Sequence, residues 1–190
     1  MSAITADKVL DVAQRLVQTR GYNGFSYRDI AGEIGIKSAS IHYHFPSKTD
    51  LGVALVDRYQ DNFDSELQKI LARSDEAPKR LKDFIALFRQ TLKGDRLCLC
   101  GMLGAERDSL PEAVSERVRS FFMLCEAWLV EVLKQGRKAR EIAYLGSPQA
   151  VADQFLSLLE GAMVVARALN DPERFDRAAN AFLRVLKSID

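Results

Sequence analysis

The sequence predicts an all-α fold, and three observations predict it. Apolar residues recur at helical spacing: Val9, Val12, Ala13, Leu16 and Val17 fall at i, i+3, i+4, i+7 and i+8. No segment sustains the apolar–polar alternation of a half-buried strand. Helix starts are punctuated. Ser26-x-x-Asp29, Ser47-x-x-Asp50 and Ser109-x-x-Glu112 each fit a capping box or its Asp variant. Ser147-Pro148 and Asp171-Pro172 each set a cap residue before a proline at the first helical position.

These signals give about nine helices, at about 5–20, 27–34, 37–43, 47–72, 77–93, 97–107, 110–136, 147–169 and 172–188. Gly21 stops the first. Ser26 opens the second, with Asp29 complementing the dipole at its start. Ile30 and Ile34 lie one turn apart and face inward, and Ala31 is small enough for a second helix to cross closely. Gly35 ends this helix in the left-handed conformation and turns the chain sharply. Ile36 and, in the third helix, Ile41 bury against Ile30 and Ile34. The fourth starts at Ser47 and connects this three-helix unit to a larger C-terminal bundle. Residues 73–78 are a polar connection with a proline. Residues 137–146 are a second loop candidate, although 140–145 could extend a helix. The expected domains are 1–47 and 48–190.

Composition bounds the function. Of 190 residues, 47% are apolar and 28% charged, as in an ordinary soluble globular protein. The longest stretch without a charged residue, Ile142–Ala152, is eleven residues, short of the roughly 20 a membrane helix needs. No signal peptide is evident at the N-terminus, so no membrane is expected and the cytoplasm is the expected compartment. Three cysteines, Cys98, Cys100 and Cys125, are an odd count and argue against a disulfide framework. Net charge is +1, and residues 1–50 carry six basic and five acidic side chains. Any nucleic-acid binding therefore comes from a local patch.

Residues 26–48 supply such a patch. With its isoleucines turned inward, the third helix is left with an outer face of Lys37, Ser38, Ser40, His42 and Tyr43. Lysine neutralises phosphate, serine bonds phosphate or a base edge, and Ala39 can touch a thymine methyl. His42 and Tyr43 can hydrogen-bond and stack. Lys48, near a helix start, suits a phosphate, and the helix start at Ser26–Arg28 offers the same across the groove.

Here the chain resembles the TetR family of transcriptional regulators. Gly21-Tyr22, Phe25-Ser26-Tyr27-Arg28-Asp29-Ile30-Ala31, the run Gly35–Phe45 and Ser47-Lys48 carry the resemblance, which is close over about residues 5–55. The ending Tyr43-x-Phe45-x-x-Lys48 makes it specific. The resemblance implies phosphate or backbone contacts from Ser26, Tyr27, Arg28, Lys37, Tyr43 and Lys48, with Ser38, Ala39, Ser40 and His42 facing base edges. Ser38 and Ala39 stand where many relatives carry Gly-Thr, so base preference does not carry over. The resemblance also implies a homodimer, a double-stranded DNA operator, and a small-molecule effector whose binding to the C-terminal domain moves the two heads apart. The expected regulator is a repressor released by that effector, with no cofactor.

Two C-terminal helices look built for dimerisation, with Phe155, Leu159, Ala162 and Val165 on one and Phe175 and Phe182 on the other. The same residues also fit an intramolecular core. For the effector, the segment 97–106 combines Cys98, Cys100, two glycines, Met102 and the single carboxylate of Glu106. Phe84, Phe88, Phe122, Cys125 and Trp128 can wall an apolar cavity beside it. Glu106 fits either a ligand anchor or a capping residue. Cys98 resembles the position of a cysteine in electrophile- or oxidant-responsive relatives, which opens a thiol-sensor alternative on the same scaffold. Core packing, the usual state of free cysteines, is the other reading of all three. Catalysis is not expected, because no nucleophile–base ordering, phosphate loop or metal-ligand spacing is present. His42 and His44, two apart, do not share a helical face, which argues against zinc. A helical scaffold that binds no DNA is the remaining alternative.

Overall fold

The computed structural model describes residues 3–186. Nine α-helices lie among them: α1 (Ala3–Arg20), α2 (Tyr27–Ile34), α3 (Ser38–His44), α4 (Lys48–Arg73), α5 (Ala77–Lys93), α6 (Leu99–Ala105), α7 (Glu112–Lys138), α8 (Pro148–Ala168) and α9 (Glu173–Val185). A 3-10 turn at Arg107–Ser109 separates α6 from α7. No strand occurs among the described residues. The expected last helix ran to 188, and its end at 187–188 lies outside the described residues. No described helix is long and apolar enough to cross a membrane.

The chain packs as two compact units. The first is Met1–Asn62 with Leu99–Phe121, and the second is Phe63–Cys98 with Phe122–Asp190. The expected head of residues 1–47 is thus only part of the unit that contains it. α6 packs on α1, so 99–105 joins the head in space although far from it in sequence.

In the first unit Val9, Ala13, Leu16 and Val17 of α1 are buried with Ile30 and Ala31 of α2 and Ile41 of α3. Each of the valine, leucine and isoleucine side chains contributes about 1.5–3 kcal/mol by leaving water. Ile34 and Ile36 are only half-buried. The helix ends follow their local chemistry. Gly21 (φ 82°) and Gly35 (φ 77°) adopt the left-handed conformation, and the Gly35 N–H closes onto the Ala31 carbonyl at 2.9 Å. The Asp29 carboxylate takes both the Ser26 N–H (2.7 Å) and its hydroxyl (2.6 Å). At the start of α4 the Asp50 carboxylate takes the Ser47 N–H, and the Ser47 hydroxyl accepts from the Asp50 N–H.

The capping box expected at Ser109 does not form in that way. The Ser109 hydroxyl instead donates to the Glu106 carbonyl at 2.8 Å and closes the 3-10 turn. The first turn of α7 hangs on the Pro111 carbonyl. Ser147 does cap α8, accepting from the Ala150 N–H at 3.1 Å.

In the second unit α8 packs along α9, and α5 packs on both. Its core is aromatic. Phe84 stacks on Trp128 (5.2 Å between centroids, 15°), and Phe155 stacks on Phe182 (4.7 Å, 4°). The expected dimer residues divide here. Phe155, Leu159 and Phe175 have no exposed surface, because the α8–α9 and α5 packing consumes them. They are core, which corrects their assignment to an interface. Ala162 and Phe182 are half-buried, and Val165 is 40% exposed. The apolar surface actually offered by this unit includes Val164, Val165, Leu169 and Val185. After α7 the chain leaves the helix at Arg140 (φ 59°), so 140–145 is loop and does not extend α7. Arg137 holds that loop by donating to the Tyr144 and Gly146 carbonyls.

Candidate functional site

The α2–α3 pair leaves one outer surface, and its residues fall into two groups. Arg28, Lys37, Ala39, His42 and Tyr43 are exposed, Tyr43 by 79%. Ser38 and Ser40, in the first turn of α3, are half-buried. The rest of the expected contact set is engaged in holding the surface together. Tyr27 is buried, and its hydroxyl lies 2.9 Å from the Phe45 carbonyl and 2.6 Å from that of Ser47. Burial, with the nearby Asp50 carboxylate, pushes its pKa up to about 12. Tyr27 is therefore a fastener between α2 and the α3–α4 corner rather than an open phosphate donor, which corrects its expected role.

Lys48 is spent in a similar way. Its ammonium donates to the Phe25 carbonyl at 2.6 Å and sits 4.4 Å from the Phe25 ring centroid and 4.8 Å from that of Tyr22. Burial lowers its pKa, opposed by the charges of Glu106 and Asp29. Ser26 is committed to Asp29 as described above. His42 is exposed but leans on the Tyr27 ring (4.6 Å between centroids), with Nδ1 3.2 Å from the Pro46 carbonyl. His44 is half-buried, with Nε2 closed from solvent and lacking a partner.

A clamp that the sequence reading did not foresee fixes the loop after α1. Glu106 Oε1 accepts the Tyr22 N–H at 3.1 Å. Its Oε2 accepts the Asn23 N–H (3.1 Å) and Asn23 Nδ2 (2.9 Å), and that amide also reaches the Ser109 hydroxyl. The carboxylate proposed as a ligand anchor is thus engaged within the head's own unit. Gly21 fits the same arrangement, because a Cβ there would run into the Glu106 carboxylate. Met102 belongs to this unit as well.

The remaining effector candidates lie in the second unit. Phe84, Phe88, Cys98, Cys125 and Trp128 are buried and Phe122 is half-buried. No disulfide joins the cysteines. The sequence reading missed Glu160 of α8. The residue is half-buried, yet its Oε1 is closed from solvent and has no hydrogen-bond partner. Desolvation pushes its pKa up to about 7, opposed by a hydrogen bond from the Cys98 thiol. Burial raises the Cys125 thiol pKa far above neutrality, and the charges of Glu160 and Glu126 add to that. Trp128 Nε1 is a second buried polar atom without a partner. A signal for Glu160 existed: it continues the buried series Ala152, Leu156 and Met163 at helical spacing.

Two family models match the chain. Residues 9–55 match that of bacterial regulatory proteins of the tetR family, and residues 77–182 match a tetracyclin repressor-like C-terminal domain. A crystal structure of a TetR-family transcriptional regulator from Agrobacterium tumefaciens superposes with a TM-score of 0.94 at 32% identity, covering 97% of this chain and 98% of that one. A TetR transcriptional regulator from Legionella pneumophila gives 0.87 at 34% identity, covering 98% and 99%. The HTH-type transcriptional regulator CymR of Pseudomonas putida is 25% identical, over 96% of this chain and 89% of its own length.

Proposed function

We propose that this chain, which belongs to the TetR family of transcriptional regulators, grips its operator as a homodimer and lets go when a small molecule enters the second unit. The observation that carries this reading is the outer surface of α3. Lys37, Ala39, His42 and Tyr43 are exposed there, with Arg28 across on α2, while Tyr27 and Lys48 lock the surface from behind and Ser26 caps α2. Side chains open to solvent on a locked helix can meet phosphates and base edges without first reorganising. Ser38 and Ser40 would reach base edges from the first turn of α3. A two-fold pair of such helices, about 34–36 Å apart, meets successive major grooves. The exposed apolar residues of α8 and α9 support that pairing. Working on an operator places the protein in the cytoplasm.

Release follows as a population shift: the effector favours a spacing of the two heads that fits the operator poorly. The thiol-sensor alternative requires a thiolate at Cys98. Cys98 is instead buried, 2% exposed, with its thiol turned onto the Glu160 carboxylate, so a reagent in solvent does not reach it. Small-molecule binding therefore takes precedence. Wild-type operator release by reactive aldehyde or oxidant that disappears in Cys98→Ser would reverse that order.

The operator test is a gel shift with the chain's own upstream DNA. Binding is expected to be sequence-selective and to fall steeply with salt. Replacing Lys37 and Tyr43 together by alanine abolishes it while leaving the helical dimer intact. Lys48 is a poorer choice, because its loss also frees the Phe25 carbonyl. Absence of selective, salt-sensitive binding by the wild type sinks the reading.

A further inference from the structure

The second unit contains a buried carboxylate with no cation beside it. Glu160 Oε1 is closed from solvent and unpartnered, and this carboxylate takes a hydrogen bond from the Cys98 thiol, a weak donor. No ion pair reaches it among the described residues. Its charge is felt at Cys125 of α7. Trp128 lies three residues on from Cys125, on the same helical face, and its Nε1 is likewise buried without a partner. Phe84 stacks on Trp128, and Phe63 and Phe88 pack edgewise or tilted against Phe84 at 6.0 and 5.3 Å. One carboxylate acceptor and one indole donor are thus buried and unsatisfied in the unit whose core is this aromatic cluster, and Cys125, which feels the Glu160 charge, lies one turn before Trp128.

We propose that Glu160 is the recognition point for a protonated amine whose apolar or aromatic body lies against Trp128 and Phe84. This rests on the small-molecule reading above and names the class of that molecule. A buried carboxylate without a counter-charge is costly, and a ligand ammonium supplies the missing charge and donors. An oxygen on the ligand body meets the Trp128 N–H. A carboxylate ligand would instead set like charges together, and a pure hydrocarbon would leave both polar atoms unsatisfied.

Trp128 is the single tryptophan of the chain, so its fluorescence reports on this site. The full-length protein is titrated with phenethylammonium, octylammonium, 2-phenylethanol and 3-phenylpropionate. The expected result is a saturable change with the ammonium ions, phenethylammonium binding at least tenfold tighter than the alcohol, and no saturation with the propionate. Glu160→Gln, which keeps size and removes charge, erases the preference for phenethylammonium over the alcohol while circular dichroism stays unchanged. Saturation by the propionate, equal binding of amine and alcohol, a preference that survives in Glu160→Gln, or silence toward both ammonium ions overturns the proposal. Gel shifts run beside these titrations separate it from the regulatory reading. Operator binding released by carboxylates alone leaves the regulator standing and removes the amine site. A Trp128 response to phenethylammonium without any operator binding does the reverse.

Discussion

Glu160 enters the folded core with its pKa pushed up to about 7, against an ordinary 4.5. The folded state therefore binds this proton more tightly than the unfolded chain does. The resulting stability is fully present below pH 4.5 and is lost as pH rises through about 7, an effect on the order of 3 kcal/mol. Urea titrations from pH 5 to 8 should show this decline, and in Glu160→Gln it should vanish with the high-pH stability raised. Tyr27 makes a different prediction. Tyr27→Phe removes the hydroxyl shared by the Phe45 and Ser47 carbonyls and should cost about 1–2 kcal/mol in urea denaturation. Operator affinity should then fall because the α3–α4 corner loosens. Tyr43, 79% exposed, should show the opposite pattern. Tyr43→Ala leaves the urea midpoint unchanged and lowers operator affinity at least tenfold.

At the scale of elements, the sequence made the helices legible and left several of their duties hidden. α2 and α3 could be read from Ser26, Gly35 and the spacing of Ile30 and Ile41, because capping, turning and burial are local properties. The split between reading and fastening residues was not local. Tyr27 and Lys48 look like phosphate contacts in a linear pattern, and only packing shows their polar ends turned onto backbone carbonyls. Glu106 was ambiguous for the same reason, since its partners Tyr22 and Asn23 lie more than eighty residues earlier. Phe155, Leu159 and Phe175 belonged to stripes wide enough to serve a core and an interface together. Periodicity cannot say which edge of such a stripe is covered. The clamp yields its own prediction. Glu106→Ala leaves the Tyr22 and Asn23 N–H groups without their acceptor and should cost about 2–3 kcal/mol, measured by thermal or urea unfolding. Hydrogen exchange should accelerate first at residues 22 and 23.

For the whole molecule, the proposed operator grip needs two copies acting as one. Val165 and Val185 are exposed on the second unit, and neither is needed to complete its core. Replacing both with aspartate should give a folded monomer by sedimentation, with operator affinity lowered by roughly 100-fold or more as the second head ceases to be tethered. Lys37→Ala should flatten the salt dependence of binding by about one unit of slope for each phosphate that the lysine no longer neutralises. The grasp of Glu106 on the loop after α1 also bears on anyone who would graft this head onto another sensor. A cut at residue 47 or 55 transfers the reading helices but leaves behind α6 and the Glu106 that pins the loop leading into them. A chimera that keeps the native specificity should carry residues 99–121 along with the N-terminal segment, so the transplantable cassette is discontinuous in the gene.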